Sequence, residues 1–142
     1  MNMFLVPVGQ VYTTLPALMP HLETSAEWTK GRAGVDDLVR FIVNGQMQLW
    51  VVVDEDKILG HTITEIKQYP QCKMLVVQYC AMEPGTLEKV EDHMQDLAAR
   101  FAKDAGCTGI EFIGRPGWRN TANKYGYTTQ SVTYQKFFKD EL

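Results

Sequence analysis

Apolar residues form two kinds of pattern along the chain, continuous runs and a helical repeat, and both are clearest between residues 73 and 118. Residues 74–82 are almost continuously apolar, which is typical of a buried β-strand. After Pro84 and Gly85, apolar residues recur at three- and four-residue steps and predict an amphipathic helix, with the stripe Leu87, Val90, Met94, Leu97, Ala98 and Phe101. A second apolar run covers residues 110–113. Strand, helix and strand in this order predict two parallel strands joined by a right-handed crossover.

The same patterns predict the remaining elements on both sides of this unit. Strands are predicted at residues 3–8, 49–53, 58–69 and 129–138. Short helical segments are predicted at residues 11–22, 35–42 and 119–127. Pro16 and Pro20 predict that residues 11–22 do not form a long regular helix. The predicted order is β-α-α-β-β-β-α-β-α-β, an α/β fold with a central mixed sheet.

Length and charge narrow the class of protein. A chain of 142 residues predicts one domain, residues 1–142, large enough to bury a core without disulfides. The net charge of −3 and the lack of a basic block argue against a general nucleic-acid binder. No apolar run approaches the roughly 20 residues of a membrane span. We therefore expect neither nucleic acid nor a membrane as the partner.

Cysteine and histidine usage predicts a reduced compartment and no metal site. Cys72, Cys80 and Cys107 are an odd, sparse set without metal-like spacing, which is typical of reduced thiols in a cytosol-like compartment. His21 and His93 have no partners at ligand spacing. Residues 139–142 read Lys-Asp-Glu-Leu, an endoplasmic-reticulum retention signal, but no secretory signal accompanies them. We interpret that run as a coincidence.

The order of elements, with a hairpin leading into the strand–helix–strand unit, resembles the GCN5-related N-acetyltransferase (GNAT) fold. The likeness rests on short motifs and covers nearly the whole chain in layout. Residues 58–61 (Ile-Leu-Gly-His) resemble the third strand of the family, where an apolar residue precedes glycine. Asn120, followed by residues 125–127 (Tyr-Gly-Tyr), resembles the closing Asn…Gly-Phe segment of the family.

A second resemblance is to small GNAT-like proteins encoded by tailed phages. Residues 114–118 (Gly-Arg-Pro-Gly-Trp), the pair Gly106-Cys107 and the pair Gly60-His61 carry it. Some short-tailed phages contain a GNAT-like protein as a virion component. The resemblance implies a non-catalytic virion or assembly protein, found in the host cytoplasm or in the virion, that contacts a protein partner or another copy of itself.

The GNAT resemblance implies that coenzyme A lies at the end of the fourth strand and the start of the next helix, at Cys80, Met82, Gly85 and Thr86. In the family a glycine-rich loop presents backbone N–H groups to the pyrophosphate at that helix start. This chain departs from the pattern because Gly85 is the only glycine there and Pro84 has no N–H. Four acidic residues, Glu83, Glu88, Glu91 and Asp92, add negative charge. Thr86 and the acidic residues are equally typical of good helix capping.

The catalytic groups that the resemblance implies are incomplete. Family enzymes tend to place a tyrosine acid about one turn before the Gly-Phe pair, and Ala122 occupies that position. Tyr125 is close by but points about 60–80° away on a helix of 3.6 residues per turn. Glu83 is the best-placed carboxylate for a general base, and a solvated loop carboxylate is the other interpretation. A lone strand histidine such as His61 is more often hydrogen-bonded or on the surface than catalytic.

Residues 114–118 and Arg119 contain the most unusual local chemistry. Gly114 or Gly117 is expected to supply a positive φ in a strand-to-helix turn, with Trp118 anchoring the helix. Arg115, Trp118 and Arg119 also match the composition of interface hot spots. The missing glycine loop, the acidic helix start and Ala122 favour a non-catalytic GNAT-fold protein with a degenerate cofactor loop, a phage virion or assembly component. The alternative is an acetyl-CoA-dependent N-acyltransferase acting on an amine.

Overall fold

The structure, a computed structural model, describes residues 1–138, so residues 139–142 and the retention-like run lie outside the described residues. Five strands form one sheet in sequential order, β1 (Asn2–Leu5), β2 (Gln48–Asp54), β3 (Lys57–Gln68), β4 (Lys73–Met82) and β5 (Gly109–Phe112). The helices are α1 (Val11–Trp28), α2 (Val35–Val43), α3 (Leu87–Asp104) and α4 (Arg119–Lys124). This arrangement confirms the predicted α/β fold with a mixed sheet.

The sheet is antiparallel from β1 to β4 and parallel between β4 and β5. The parallel pairing runs from Met74 opposite Gly109 to Val77 opposite Phe112. The prediction of parallel strands around a crossover helix is therefore confirmed. Gly106, with φ of +80°, ends α3 as its glycine predicts and allows the chain to turn into β5.

Helix α3 covers one face of the sheet through the predicted stripe. Val90 and Met94 are buried against side chains of β1, β2 and β3, and Leu87, Leu97 and Phe101 pack beside them. The ring of Phe101 meets Trp50 edge-on at 5.3 Å between centroids. The stripe predicted from sequence is therefore the face that packs against the sheet.

Helices α1 and α2 cover the opposite face, where Leu18, Leu22 and Leu38 are fully buried. The prediction that Pro16 and Pro20 prevent a long helix is wrong, because both lie inside the 18-residue helix α1. Each proline removes one helical N–H, but both lie on the exposed side, where water can bond the carbonyls left free. Burial of the leucine face offsets that loss.

The predicted last strand, residues 129–138, does not form. Residues 128–138 belong to no helix or strand and are exposed throughout. Alternation makes a segment fit to be a strand, but a strand also needs a neighbour to satisfy its backbone groups. Within the described chain this segment has no such neighbour. The observed order thus ends with α4.

Candidate functional site

The sheet splits where β5 ends and β4 continues. The N–H of Ile113 donates to the carbonyl of Val77 at 3.1 Å, and beyond that point β4 runs on to Met82 without β5 beside it. The N–H of Glu83 donates to the carbonyl of Leu59 on β3 at 2.8 Å. Because backbone directions alternate along a strand, Met82 and Cys80 point their N–H and C=O groups away from β3, into the split. The split therefore contains an open strand edge.

A tight turn connects that edge to α3. The N–H of Thr86 donates to the carbonyl of Glu83 at 3.1 Å, Pro84 occupies the second position, and Gly85 has φ of +81°. These are the features of a type II turn, which requires glycine at its third position. Thr86 is buried and stands at the helix N-cap, but its side chain makes no capping hydrogen bond. The amides of the first turn of α3 therefore point toward the open end of the split.

Two of the four acidic side chains at the start of α3, Glu83 and Glu91, form ion pairs in the described chain. Lys124 Nζ lies 2.6 Å from Glu91 Oε1, and the hydroxyl of Tyr125 donates to Asp92. Glu83 pairs with Lys57 at 3.3 Å. In the described chain Glu88 and Asp92 form no ion pair, and the hydrogen bond from the neutral Tyr125 hydroxyl leaves the charge of Asp92 in place. The sequence-based expectation that these charges oppose an anion therefore holds for Glu88 and Asp92.

The hydroxyl of Tyr125 is occupied by its hydrogen bond to Asp92. Burial, and after it the hydrogen bond to Asp92, raise the pKa of Tyr125 to about 12. The hydroxyl stays protonated at neutral pH and bonds to α3, not into the split. The prediction that the family's tyrosine role does not transfer to Tyr125 agrees with this contact.

The side chains that face the split from β4 pack toward α3. Cys80 lines a cavity of about 20 Å³ between α3 and the sheet, together with Trp50, Thr62 and Met94. That volume suits at most one water molecule. Burial raises the pKa of the Cys80 thiol to about 11, so the thiol is a small apolar group and not a nucleophile.

Glu83 lies on the other face of the sheet. It borders an open depression between α1 and the β2–β3 turn, beside His21 and the acidic residues Asp54, Glu55 and Asp56. Glu83 is therefore not grouped with Cys80, although both belong to the end of β4. Its role as a general base stays a prediction.

One buried hydrogen bond, between a histidine and a serine, was missed by sequence reasoning. His61 on β3 is fully buried, and its Nε2 lies 2.8 Å from the hydroxyl oxygen of Ser25 on α1. Its Nδ1 has no hydrogen-bond partner within the described residues. Burial, with a smaller effect from His21, lowers the pKa of His61 to about 3. His61 is thus a neutral core residue, consistent with the hydrogen-bonded interpretation of a strand histidine.

Arg115, Trp118 and Arg119 contact different parts of the molecule. The guanidinium of Arg115 lies 3.9 Å above the ring of Trp28, the last residue of α1, and makes no hydrogen bond or ion pair in residues 1–138. Trp118 is half-buried and packs edge-on against Phe112 at 5.1 Å. Arg119 begins α4 and is exposed. Their predicted role as an interface stays a prediction.

Neither glycine of residues 114–118 has the positive φ that the sequence suggested. Gly114 instead makes room for a neighbour, since a Cβ there would lie 2.8 Å from the ring of Phe112 and would displace that ring. The turn instead begins with Arg115 in an extended conformation, followed by a single 3₁₀ turn, Pro116–Trp118. Space, and not backbone strain, selects glycine at residue 114.

Two negative findings apply to the described part of the chain. Among residues 1–138, no three His, Cys, Asp or Glu side chains come together as a metal site. No helix there is long and apolar enough to cross a bilayer.

No protein-family model and no curated protein matches the sequence, but solved structures match the fold. The ribosomal-protein-alanine N-acetyltransferase of Brucella melitensis biovar Abortus 2308 is 11% identical, with a TM-score of 0.68 over 97% of this chain and 100% of that one. A GCN5-related N-acetyltransferase from Ralstonia eutropha JMP134 is 10% identical, with a TM-score of 0.70 over 96% and 97%.

Glucosamine-6-phosphate N-acetyltransferase from Arabidopsis thaliana is 12% identical, with a TM-score of 0.67 over 97% of this chain and 98% of that one. Identities this low show the fold and leave the reaction open. The resemblance to phage proteins stays a prediction. The chain therefore has a GNAT-like fold.

Proposed function

We propose that the chain binds acyl-coenzyme A in the split between β4 and β5 and transfers the acyl group to an amine. The observation that carries the proposal is the open edge of β4, where the backbone groups of Cys80 and Met82 have no strand of residues 1–138 beside them. An extended, amide-rich ligand satisfies such an edge in the way an added strand does. The pantetheine arm of coenzyme A has that chemistry.

The start of α3 suits the pyrophosphate of the same ligand. The turn at Gly85 brings the first amides of α3 to the end of the open edge, and a helix N-terminus favours anions. Lys124 and Lys57 neutralise Glu91 and Glu83 nearby. Acyl-coenzyme A would supply the activated thioester, and the chain would supply the edge, the helix end and a base.

The acceptor amine would approach from the side of α1. Trp28 ends α1, and the guanidinium of Arg115 lies 3.9 Å above its ring and makes no hydrogen bond or ion pair in residues 1–138. Glu83 is the carboxylate nearest the end of β4, and Lys57 holds it in place. Under this proposal the amine attacks the thioester carbonyl and Glu83 accepts the proton that the amine releases. The C–S bond breaks, and coenzyme A leaves as the thiolate, which takes its proton from water because Ala122 stands where the family places its acid.

We expect the protein to bind acetyl-CoA, and Glu88→Gln to bind it about two- to fivefold more tightly. The reason is that Glu88 is the unpaired acid in the first turn of α3, where a charge changes anion binding by about 0.3–1 kcal/mol. Isothermal titration calorimetry at low salt measures both affinities. Asp96→Asn, at an exposed position later in α3, is the matched control and should bind like the unmodified chain. An absence of heat at millimolar acetyl-CoA would contradict the proposal.

If the protein transfers acetyl groups, Glu83→Gln should lower kcat by about 10²–10⁴ while acetyl-CoA affinity stays the same, because loss of a general base affects turnover and not cofactor binding. The measurement is thiol release with a panel of primary amines. Asp56→Asn removes a carboxylate from the same depression and should keep full activity. Equal activity of the two variants would remove Glu83 from the mechanism.

A second candidate is the non-catalytic role, as a phage virion or assembly component that contacts a protein partner. One observation favours the loss of catalysis in this role and does not bear on a phage or a partner: the hydroxyl of Tyr125 is occupied by Asp92, and Ala122 stands where the family places its acid. Binding of acetyl-CoA without turnover of any amine would support this role. Measurable turnover would exclude it.

A further inference from the structure

The side chain of Arg115 stacks against α1 and has no acidic partner. Its guanidinium lies 3.9 Å above the ring of Trp28, the half-buried last residue of α1. Within residues 1–138 it takes part in none of the ion pairs. A mobile surface arginine without a partner is common, but one that stacks on a ring keeps its donors in a defined place. The position of Arg115 therefore suits a bound anion.

The stack decides which donors of Arg115 stay available. The ring of Trp28 covers one flat face of the guanidinium, whereas the N–H groups lie in its plane and point outward from its edge. Two parallel N–H groups of this kind match the two oxygens of a carboxylate. Pro116 also restricts the backbone of Arg115 to the extended conformation that the structure shows, with φ of −69°. A side chain that is already placed loses less entropy when it binds.

Arg115 lies just beyond the point where β4 and β5 separate. The N–H of Ile113 still bonds to β4, and chain geometry keeps the Cα of Arg115 within about 7 Å of the Cα of Ile113. Burial mainly raises the pKa of the Cys80 thiol, while the hydrogen bond from Thr62 and the positive charge of Arg115 oppose that rise. The charge of Arg115 therefore acts on β4 at the split.

Charges of both signs surround the preceding residue of β4, Tyr79. Tyr79 is half-buried on the face of the sheet that α1 and α2 cover. Burial and then the charge of Glu65 raise the pKa of Tyr79, whereas the charge of Arg32 opposes them. Arg32 donates to the carbonyl of Thr29 at 3.1 Å and forms no ion pair within the described chain. An acid beside unpaired arginines disfavours a polyanion and suits a ligand that carries both charges.

We propose that the acceptor is an amine that also carries a carboxylate, as a free amino acid does, and that Arg115 binds this carboxylate from its place on Trp28. The inference rests on the proposed acyl transfer and names the substrate class of that reaction. The acceptor is favoured over the acyl group as the source of the carboxylate, because Trp28 belongs to α1, whereas coenzyme A would contact the start of α3 on the other face of the sheet. Arg115 then determines specificity, and Trp28 is a positioning residue.

The indole N–H signal of Trp28 in a ¹H–¹⁵N NMR spectrum reports binding at Arg115 directly, and it is assigned as the signal that Trp28→Phe loses. The full chain, without coenzyme A, is titrated with a panel of free L-amino acids and with the amide of each at constant ionic strength. We expect a saturable shift with at least one amino acid and roughly tenfold or weaker affinity for its amide. Equal affinities for the acid and its amide, or no shift with any member of the panel, would overturn the proposal.

Calorimetry with the same amino acid tests the two residues. Arg115→Gln should weaken its binding by roughly 10- to 100-fold, which is the value of hydrogen bonds to a charged group. Arg119→Gln removes the same charge from an exposed position at the start of α4 and should bind like the unmodified chain. Trp28→Leu should weaken binding by about two- to fivefold, and Trp28→Phe should restore most of it, because a phenyl ring still carries the stack. Equal affinities of the two arginine variants would overturn the proposal.

Titrations with acetyl-CoA and succinyl-CoA separate the two sources of a carboxylate. If Arg115→Gln weakens succinyl-CoA alone and leaves the amino acid unchanged, the carboxylate belongs to the acyl group and the proposal is wrong. Because the amino-acid titrations contain no coenzyme A, their failure would leave the binding of acetyl-CoA untouched. Binding of the amino acid without any binding of acetyl-CoA would instead defeat the proposed transfer, and with it the role of the amino acid as acceptor.

Discussion

Gly60→Ala is expected to destabilise the fold by about 3 kcal/mol or more, which is the upper range for overpacking a core. Gly60 lies opposite Met82 in the pairing of β3 with β4. An alanine Cβ there would lie 2.5 Å from the carbonyl oxygen of Ala81 and 2.6 Å from the Cα of Met82. Both contacts are with backbone, so no side chain can rotate away. The two strands must separate, and the open edge of β4 moves with them.

Urea unfolding followed by circular dichroism measures the loss of stability. Gly117→Ala is the matched control, because a Cβ at that position meets no atom within 4 Å and its φ is not positive. The control should stay within about 0.5 kcal/mol of the unmodified chain. If Gly60→Ala unfolds at the same urea concentration as the control, the close approach of β3 and β4 described here is wrong.

The elements that sequence could predict are those whose signal is local. The stripe of α3 repeats within one helix, so Val90 and Met94 identify the buried face without any knowledge of the sheet. A helix between two apolar runs dictates parallel strands by simple geometry, and β4 and β5 follow it. These two features are also what create the split.

The elements that sequence predicted wrongly depend on contacts with distant residues. Pro16 and Pro20 weaken α1 locally, but the burial of Leu18 and Leu22 against the sheet outweighs that local cost. Residues 128–138 have the pattern of a strand, yet the pattern alone does not supply the neighbouring strand that such a segment needs. Local preference is a weak guide wherever packing or pairing decides the outcome.

The candidate site was predictable only along β4 and into α3. Cys80, Met82, Gly85 and Thr86 follow one another in the chain, so placing the strand end also placed them. The stacking of Arg115 on Trp28 joins two segments that have no common motif. The bond between Ser25 and His61 likewise spans 36 residues. No spacing in the sequence encodes such contacts.

The buried histidine should make the protein sensitive to mild acid. His61 has a pKa of about 3 in the folded chain and an ordinary value of 6.5 when unfolded. Between these two pH values His61 binds a proton in the unfolded chain but not in the folded chain. The contribution of His61 to the free energy of unfolding is therefore complete above pH 6.5 and falls as the pH decreases toward 3. One proton changes the free energy of unfolding by about 1.4 kcal/mol per pH unit. From pH 6.5 to 4.5 the loss attributable to His61 should reach roughly 2–3 kcal/mol.

Urea unfolding of the unmodified chain and of His61→Gln, measured at each half pH unit between 7.5 and 4, isolates this effect from the carboxylates that titrate in both proteins. We expect the curve of the unmodified chain to fall more steeply below pH 6.5, because glutamine has no proton to gain. His93→Gln, at an exposed position on α3, is the control and should follow the unmodified chain. His21→Gln should also keep most of the slope, because the main cause of the lowered pKa is burial of His61. Parallel curves for the unmodified chain and His61→Gln would mean that His61 reaches water, and the buried pair with Ser25 would then be incorrect.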